Sequence, residues 1–220
     1  FHYALAIENY QRAIELEPDF ADLYFNMASA QIDCGELDAA IKSYRRAIAI
    51  DPRYVEAYSD LGLALQEKAQ WKEAIDCFTH ALALDPNYAD AHSNMASALQ
   101  AIGNLDSAIA HCDKALAINP RFAPAHYNLG SVMHQKGKLA AALRSYKQAY
   151  AINATLAPAQ VKSGQILHEL GDLKGSIACL KSALAIDPNA ADVHFSLATV
   201  LHDSGNLGDA HDAYKCALEL

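Results

Sequence analysis

The sequence predicts an all-α fold, a solenoid of stacked helix pairs, and three observations support this prediction. Prolines recur at a fixed interval of 34 residues, a period typical of helical repeat proteins. The chain is 52% hydrophobic but only 8% aromatic, and alanine, which dominates its apolar residues, is the best helix former. Small and large apolar residues also recur at helical spacing in every period.

The prolines mark the boundary between successive repeats. They are Pro18, Pro52, Pro86, Pro120 and Pro188, with Ala154 at the position where one is missing. Proline ends a helix or occupies its first turn. We therefore expect a helix to end and the next to begin at each of these positions. The loss of proline at Ala154, near Lys162, is interpreted either as sequence drift or as a flexible hinge.

The second helix of each repeat carries a small–large–small pattern. An alanine stands five residues before every proline position, a large side chain usually stands three residues before that alanine, and a small residue comes four residues earlier still. Residues spaced by three or four share one helix face. The small residues therefore let a neighbouring helix approach, and the large side chain fills the gap between the two helices.

A glycine separates the two helices in most repeats. It is Gly35, Gly103, Gly137, Gly171 or Gly205, whereas one repeat has Ala69. Glycine at this place predicts a left-handed residue that ends the first helix.

These patterns resemble the tetratricopeptide repeat family. Residues 56–86, "EAYSDLGLALQEKAQWKEAIDCFTHALALDP", carry its consensus, and the resemblance covers the whole chain. It implies a right-handed superhelical solenoid of stacked antiparallel helix pairs, forming a single array over residues 1–220. The array consists of the second helix of a partial repeat at 1–20 and of repeats at 21–54, 55–88, 89–122, 123–156, 157–190 and 191–220.

The resemblance also implies a concave groove, lined by the first helices, that binds an extended peptide or a partner helix. The predicted groove residues are Phe25, Asn26, Ser29, Asp60, Asn94, Ser97, Tyr127, Asn128, Ser131, His134, Lys162, His168, Phe195, Ser196 and His202. Asparagine is unfavourable inside helices, so its recurrence needs a reason. The amides either hold a peptide main chain or bond to neighbouring turns. Asn26, Asn94 and Asn128 resemble the asparagine ladder of O-linked N-acetylglucosamine transferase-type proteins.

Charge and cysteine content disfavour several classes of function. With 17 Lys and Arg against 26 Asp and Glu, the net charge is −9, which disfavours nucleic-acid binding. No apolar run approaches the roughly 18 residues of a membrane span. Five cysteines without a CxxC motif predict free thiols in a reducing compartment. We therefore expect a cytoplasmic or nuclear protein.

The histidines predict neither a metal site nor catalysis. His92, His126 and His194 occupy equivalent positions in their repeats. Neighbouring repeats stand about 10 Å apart, whereas zinc needs nitrogens about 2 Å away. No glycine-rich phosphate loop or GxSxG motif occurs. No cofactor is expected, and this segment is not predicted to be an enzyme.

Three functions agree with these observations. The leading interpretation is a protein–protein interaction scaffold that binds a protein or peptide ligand. The first alternative is the substrate-recognition arm of a larger glycosyltransferase. The weaker alternative is a self-assembling structural array, because solenoids need polar ends and the terminal helices look uncapped.

Overall fold

A computed structural model describes residues 2–220, and within them the chain forms thirteen α-helices and no strand. The helices are α1 (His2–Leu16), α2 (Ala21–Asp33), α3 (Leu37–Ile50), α4 (Val55–Glu67), α5 (Trp71–Leu84), α6 (Ala89–Ala101), α7 (Leu105–Ile118), α8 (Ala123–Gln135), α9 (Leu139–Ile152), α10 (Ala157–Glu169), α11 (Leu173–Ile186), α12 (Ala191–Asp203) and α13 (Leu207–Glu219). The all-α prediction is confirmed. Phe1, at the start of the predicted 1–20 segment, lies outside the described residues.

The helices form two compact units. Residues 1–119 contain α1 to α7, and residues 120–220 contain α8 to α13. Within each unit every helix packs against the helices before and after it in the chain, and α4 also contacts α6, as α10 contacts α12. Short loops between packed neighbours make successive helices antiparallel. Each unit is thus a stack of helix pairs, as the repeat period predicts.

A large side chain of the second helix fills the space between the paired helices. Phe78 of α5 is fully buried, and a Cβ atom added to Gly62 of α4 would lie 2.5 Å from its Cε1 atom. The small residues on either side of Phe78, Ala74 and Ala81, have no exposed surface. The small–large–small pattern is therefore the packing surface between paired helices.

The turn that lacks its proline keeps the form of the others. The carboxamide oxygen of Asn153 accepts hydrogen bonds from the backbone N–H and the hydroxyl of Thr155, at 3.0 and 2.7 Å. The same backbone hydrogen bond is made by Asp51, Asp85 and Asp187 in turns that keep their proline, so the turn does not depend on the proline. In the next repeat, the hydroxyl of the buried Ser176, which stands where other repeats have alanine, donates to the carbonyl oxygen of Gly164 at 2.8 Å.

No helix within residues 2–220 has both the length and the apolar character needed to cross a bilayer.

The turn inside each pair uses a left-handed residue. The φ angle is +81° at Gly103 and +55° at Ala69, the alanine that replaces glycine. A residue with a Cβ atom is less stable by about 1–2 kcal/mol in the left-handed region. An added Cβ at Gly103 meets no atom within 4 Å, so the cost there is conformational rather than steric.

We expect Ala69→Gly to raise the free energy of unfolding by about 1 kcal/mol, because glycine has no Cβ atom and adopts the left-handed conformation without a steric clash. Gly103→Ala should lower it by a similar amount. Urea titration followed by circular dichroism measures both changes. A loss of stability in Ala69→Gly would show that the turn conformation does not limit this repeat.

Candidate functional site

The predicted groove residues lie on the first helices of the pairs. In the first unit they belong to α2, α4 and α6, and in the second to α8, α10 and α12. All of them are exposed or half-buried. The core does not take up these side chains, so each retains surface that a ligand can contact.

The three asparagines differ in their surroundings. Asn26 is exposed and Asn94 is half-buried, and among the described residues no hydrogen bond is seen for either side-chain amide. The carbonyl oxygen of Asn94 accepts a hydrogen bond from Nε2 of Gln66 at 3.1 Å, which links α4 to α6. Asn128 already interacts with another group of the chain.

Aromatic side chains of the predicted groove rest on rings of the core. The Phe25 ring centroid lies 5.7 Å from that of Tyr44 and 4.9 Å from that of Tyr54. The ring centroids of Tyr127 and Tyr146 are 5.4 Å apart, and those of Phe195 and Tyr214 are 5.5 Å apart. Phe195 nevertheless remains 59% exposed, and it offers the second unit an apolar contact surface.

The hydroxyl of Ser29 is engaged inside the protein. Its Oγ atom donates to the carbonyl oxygen of Phe25 at 3.2 Å and lies 3.3 Å from the hydroxyl of Tyr44. The Oγ1 atom of Thr199 likewise lies 3.4 Å from the hydroxyl of Tyr214. The hydroxyl at this position therefore gives the core tyrosine a hydrogen-bond partner.

In the first unit, Ser29 and Asp60 border one cavity of about 270 Å³. Burial, together with the charges of Glu56 and Asp90, raises the pKa of Asp60 to about 6. The ionised carboxylate is thus held among like charges. A cationic group entering this cavity would stabilise it.

In the second unit, His168, Phe195 and Ser196 border a cavity of about 150 Å³. The hydroxyl of Ser196 donates to the carbonyl oxygen of Asp192 in its own helix at 2.8 Å. The ammonium of Lys162 donates to Oε1 of Gln165 at 3.2 Å. Of these side chains, Phe195 is the one left most open to a ligand.

The histidines at the ends of α8 and α10 pair with carboxylates of the next repeat. Nε2 of His134 lies 3.3 Å from Oε1 of Glu169, and Nε2 of His168 lies 2.8 Å from Oδ2 of Asp203. Hydrogen bonds from His168 and His202 lower the pKa of the Asp203 carboxyl. Each acid stands directly after the next histidine of the series. This signal was present in the sequence, but the sequence analysis missed it.

A second series of histidines ties each repeat to the loop before it. Nε2 of His92, His126 and His194 lies 3.1, 3.1 and 2.8 Å from the carbonyl oxygen of Pro86, Pro120 and Pro188 respectively. These contacts hold the start of a first helix to the turn. Within residues 2–220, no group of three or more His, Cys, Asp or Glu side chains is arranged to hold a metal ion.

The structure brings together two histidines that the repeat pattern does not link, His92 and His111. Nδ1 of His92 lies 3.0 Å from Nδ1 of His111, and His92 is only 5% exposed. Burial is the main cause that lowers the pKa of both imidazoles, that of His111 to about 4. Comparison of equivalent positions could not find this contact, because the two residues occupy different positions in the repeat.

Family models match most of the chain. One described as "TPR repeat" matches residues 2–32, 29–68, 67–103 and 164–205, and one described as "Tetratricopeptide repeat" matches residues 87–154. The chain belongs to the tetratricopeptide repeat (TPR) family. None of the curated proteins matches it.

Solved structures of other TPR proteins resemble this one. TTC0263 of Thermus thermophilus is 23% identical, with 82% of this chain and 98% of that chain covered and a TM-score of 0.73. PilF of Pseudomonas aeruginosa is 18% identical, with 89% of each chain covered and a TM-score of 0.78. YrrB, described as a TPR protein with an unusual peptide-binding site, is 23% identical, with 90% and 99% covered and a TM-score of 0.61. At these identities the likeness shows the fold alone.

The burial of His92 and His111 predicts that acid destabilises this TPR protein. Both pKa values lie below the usual 6.5, that of His111 at about 4. The unfolded chain therefore binds more protons between about pH 6.5 and 4, and stability falls as the pH falls through that window. His111→Ser should make the free energy of unfolding in urea less dependent on pH between 7 and 5.

The matched control is His126→Gln, which removes an equivalent histidine that makes the same carbonyl contact but faces no second imidazole within the described part of the chain. An identical pH dependence in His111→Ser and the wild type would contradict the assignment.

Proposed function

We propose that this TPR protein is an interaction scaffold that binds an extended segment of a partner protein along the first helices of its repeats. One observation carries the proposal. Asn26 and Asn94 lie inside helices, where asparagine is unfavourable, and no hydrogen bond of either amide is seen among the described residues. Because these asparagines lower helix stability and their amides bond to nothing seen within residues 2–220, the amides are suited to hydrogen-bond with a partner protein.

Asparagine suits the recognition of a peptide main chain. Its amide offers two donors and an acceptor, which match the N–H and C=O groups of an extended segment whatever its side chains. Each such hydrogen bond contributes about 1 kcal/mol net. We assign this role to Asn26 and Asn94 in the first unit and to Asn128 in the second.

Aromatic and charged side chains would supply specificity. Phe25 in the first unit, and Tyr127 and Phe195 in the second, offer apolar surface to the partner's side chains. Asp60 favours a cationic group, and Lys162 an anionic one. The other polar residues that we assign to these faces are Ser29, Ser97, Ser131, Ser196, His134, His168 and His202.

A structural neighbour supports a peptide as the ligand. YrrB shares this fold and is described as having a peptide-binding site. The resemblance of the asparagine positions to O-linked N-acetylglucosamine transferase-type proteins points the same way. A role as the recognition arm of a larger glycosyltransferase rests on that resemblance alone and stays a prediction, as does end-to-end self-association.

We expect Asn26→Ala, Asn94→Ala and Asn128→Ala each to weaken peptide binding about fivefold, because each removes a hydrogen bond worth about 1 kcal/mol. The partner is first captured from lysate and identified. Its binding segment is then synthesised and titrated by fluorescence anisotropy.

Asn189→Ala is the control, because this exposed asparagine lies in the loop before α12, away from the first-helix faces. Alanine is the better helix former, so the helical variants should remain folded. An unchanged affinity in the triple variant would refute the assignment.

A further inference from the structure

The two facing imidazoles of His92 and His111 have the spacing of metal ligands. First-row divalent ions hold imidazole nitrogens about 2.0–2.1 Å away, so two such nitrogens stand about 2.9 Å apart at a right angle and about 3.3 Å apart at the tetrahedral angle. The observed separation of the Nδ1 atoms is 3.0 Å. The two nitrogens face each other across a hydrogen bond, with the ring centroids 5.1 Å apart. A metal ion could bind both of them once each ring turns so that its lone pair points at the ion.

The carbonyl oxygen of Pro86 fixes the tautomer of His92. This oxygen only accepts hydrogen bonds, so Nε2 of His92, 3.1 Å away, carries the ring proton. Nδ1 of His92 is therefore an unprotonated nitrogen directed at His111. Metal-binding histidines are commonly oriented in this way, with the second ring nitrogen donating to a carbonyl.

The second imidazole is particular to this repeat. His126 and His194 make the same carbonyl contact as His92. At the positions equivalent to His111, however, their repeats have Ser145 and Ala213. The pairing therefore does not follow from the repeat pattern itself.

A soft donor borders the same cavity as the two imidazoles. His92, His111 and Met95 all border one cavity of about 610 Å³, which also reaches Lys114. Met95 follows His92 by one helical turn, so the two share a face of α6. Among divalent first-row ions Cu²⁺ binds nitrogen ligands most tightly, and Cu⁺ favours thioethers.

From this geometry we propose that His92, His111 and Met95 form a copper-binding site in the first unit. Two imidazole nitrogens and one thioether sulfur are the ligands, and the cavity leaves room for water or a further ligand. Burial disfavours the charged form of both imidazoles, so binding requires that the His111 proton move from Nδ1 to Nε2 and that the two rings turn toward the ion. The exposed Lys114 side chain is long enough to turn its charge away from the cavity.

Copper titration of the purified protein tests the site. The exposed Cys34 and Cys216 and the half-buried Cys77 and Cys179 are first replaced by serine so that they do not compete. Cys112 has no exposed surface and can stay. We expect one Cu²⁺ ion per chain by calorimetry, with nitrogen hyperfine structure in the electron paramagnetic resonance spectrum.

The variants use residues that occur at equivalent positions. Another repeat has Gln160 at the position of His92, and another has Ser145 at the position of His111. The variants His92→Gln and His111→Ser should therefore both fold. Each should raise the Kd for Cu²⁺ at least tenfold, while the control His126→Gln leaves it unchanged. A Kd equal to that of the wild type in either histidine variant, or no Cu²⁺ binding by the parent protein below millimolar concentration, would overturn the proposal.

Met95→Leu tests the sulfur ligand separately. Leucine stands at this position in α4 and α8, as Leu61 and Leu129, so the core is preserved. The variant should weaken Cu⁺ binding at least fivefold in competition with a chromogenic Cu⁺ chelator, and change Cu²⁺ binding less. Equal Cu⁺ affinities would overturn the assignment of Met95 as a ligand.

Discussion

Close packing between the two helices of a repeat is the interaction on which the rest of the structure depends. Phe78 occupies space that a side chain on Gly62 would enter, and small residues beside Phe78 let the helices approach. This packing commits one face of each helix to the core. The remaining positions of the first helices can vary without loss of the fold, so a binding function is expected there.

The fold could be predicted because the same packing recurs every 34 residues. Proline marked the repeat boundaries, and glycine marked the left-handed turn in five repeats. Even Ala69 was predicted at the turn, because the period placed it there and the chain adopts a positive φ angle at that alanine. The period also placed the predicted groove residues on the first helices, since equivalent positions in successive repeats lie on equivalent helices.

The contacts of the candidate sites could not be predicted in this way. A period groups equivalent residues, but His92 and His111 occupy different positions and meet across two helices. His168 likewise meets Asp203 of the next repeat, 35 residues later. Such contacts depend on side-chain direction and on the angle between helices, which the spacing of residues does not encode. The engagement of Ser29 with the Tyr44 hydroxyl was missed for the same reason.

The central claim is that core positions carry stability while first-helix positions are available for binding. Phe78→Ala removes a phenyl ring from a core position, and Phe195→Ala removes one from a first-helix position. Urea titration measures the free energy of unfolding of both variants. Phe78 is fully buried, so its loss should cost about 3–5 kcal/mol. Phe195 is 59% exposed and keeps one ring contact, so its loss should cost less than about 1.5 kcal/mol. Equal losses in the two variants would contradict the account.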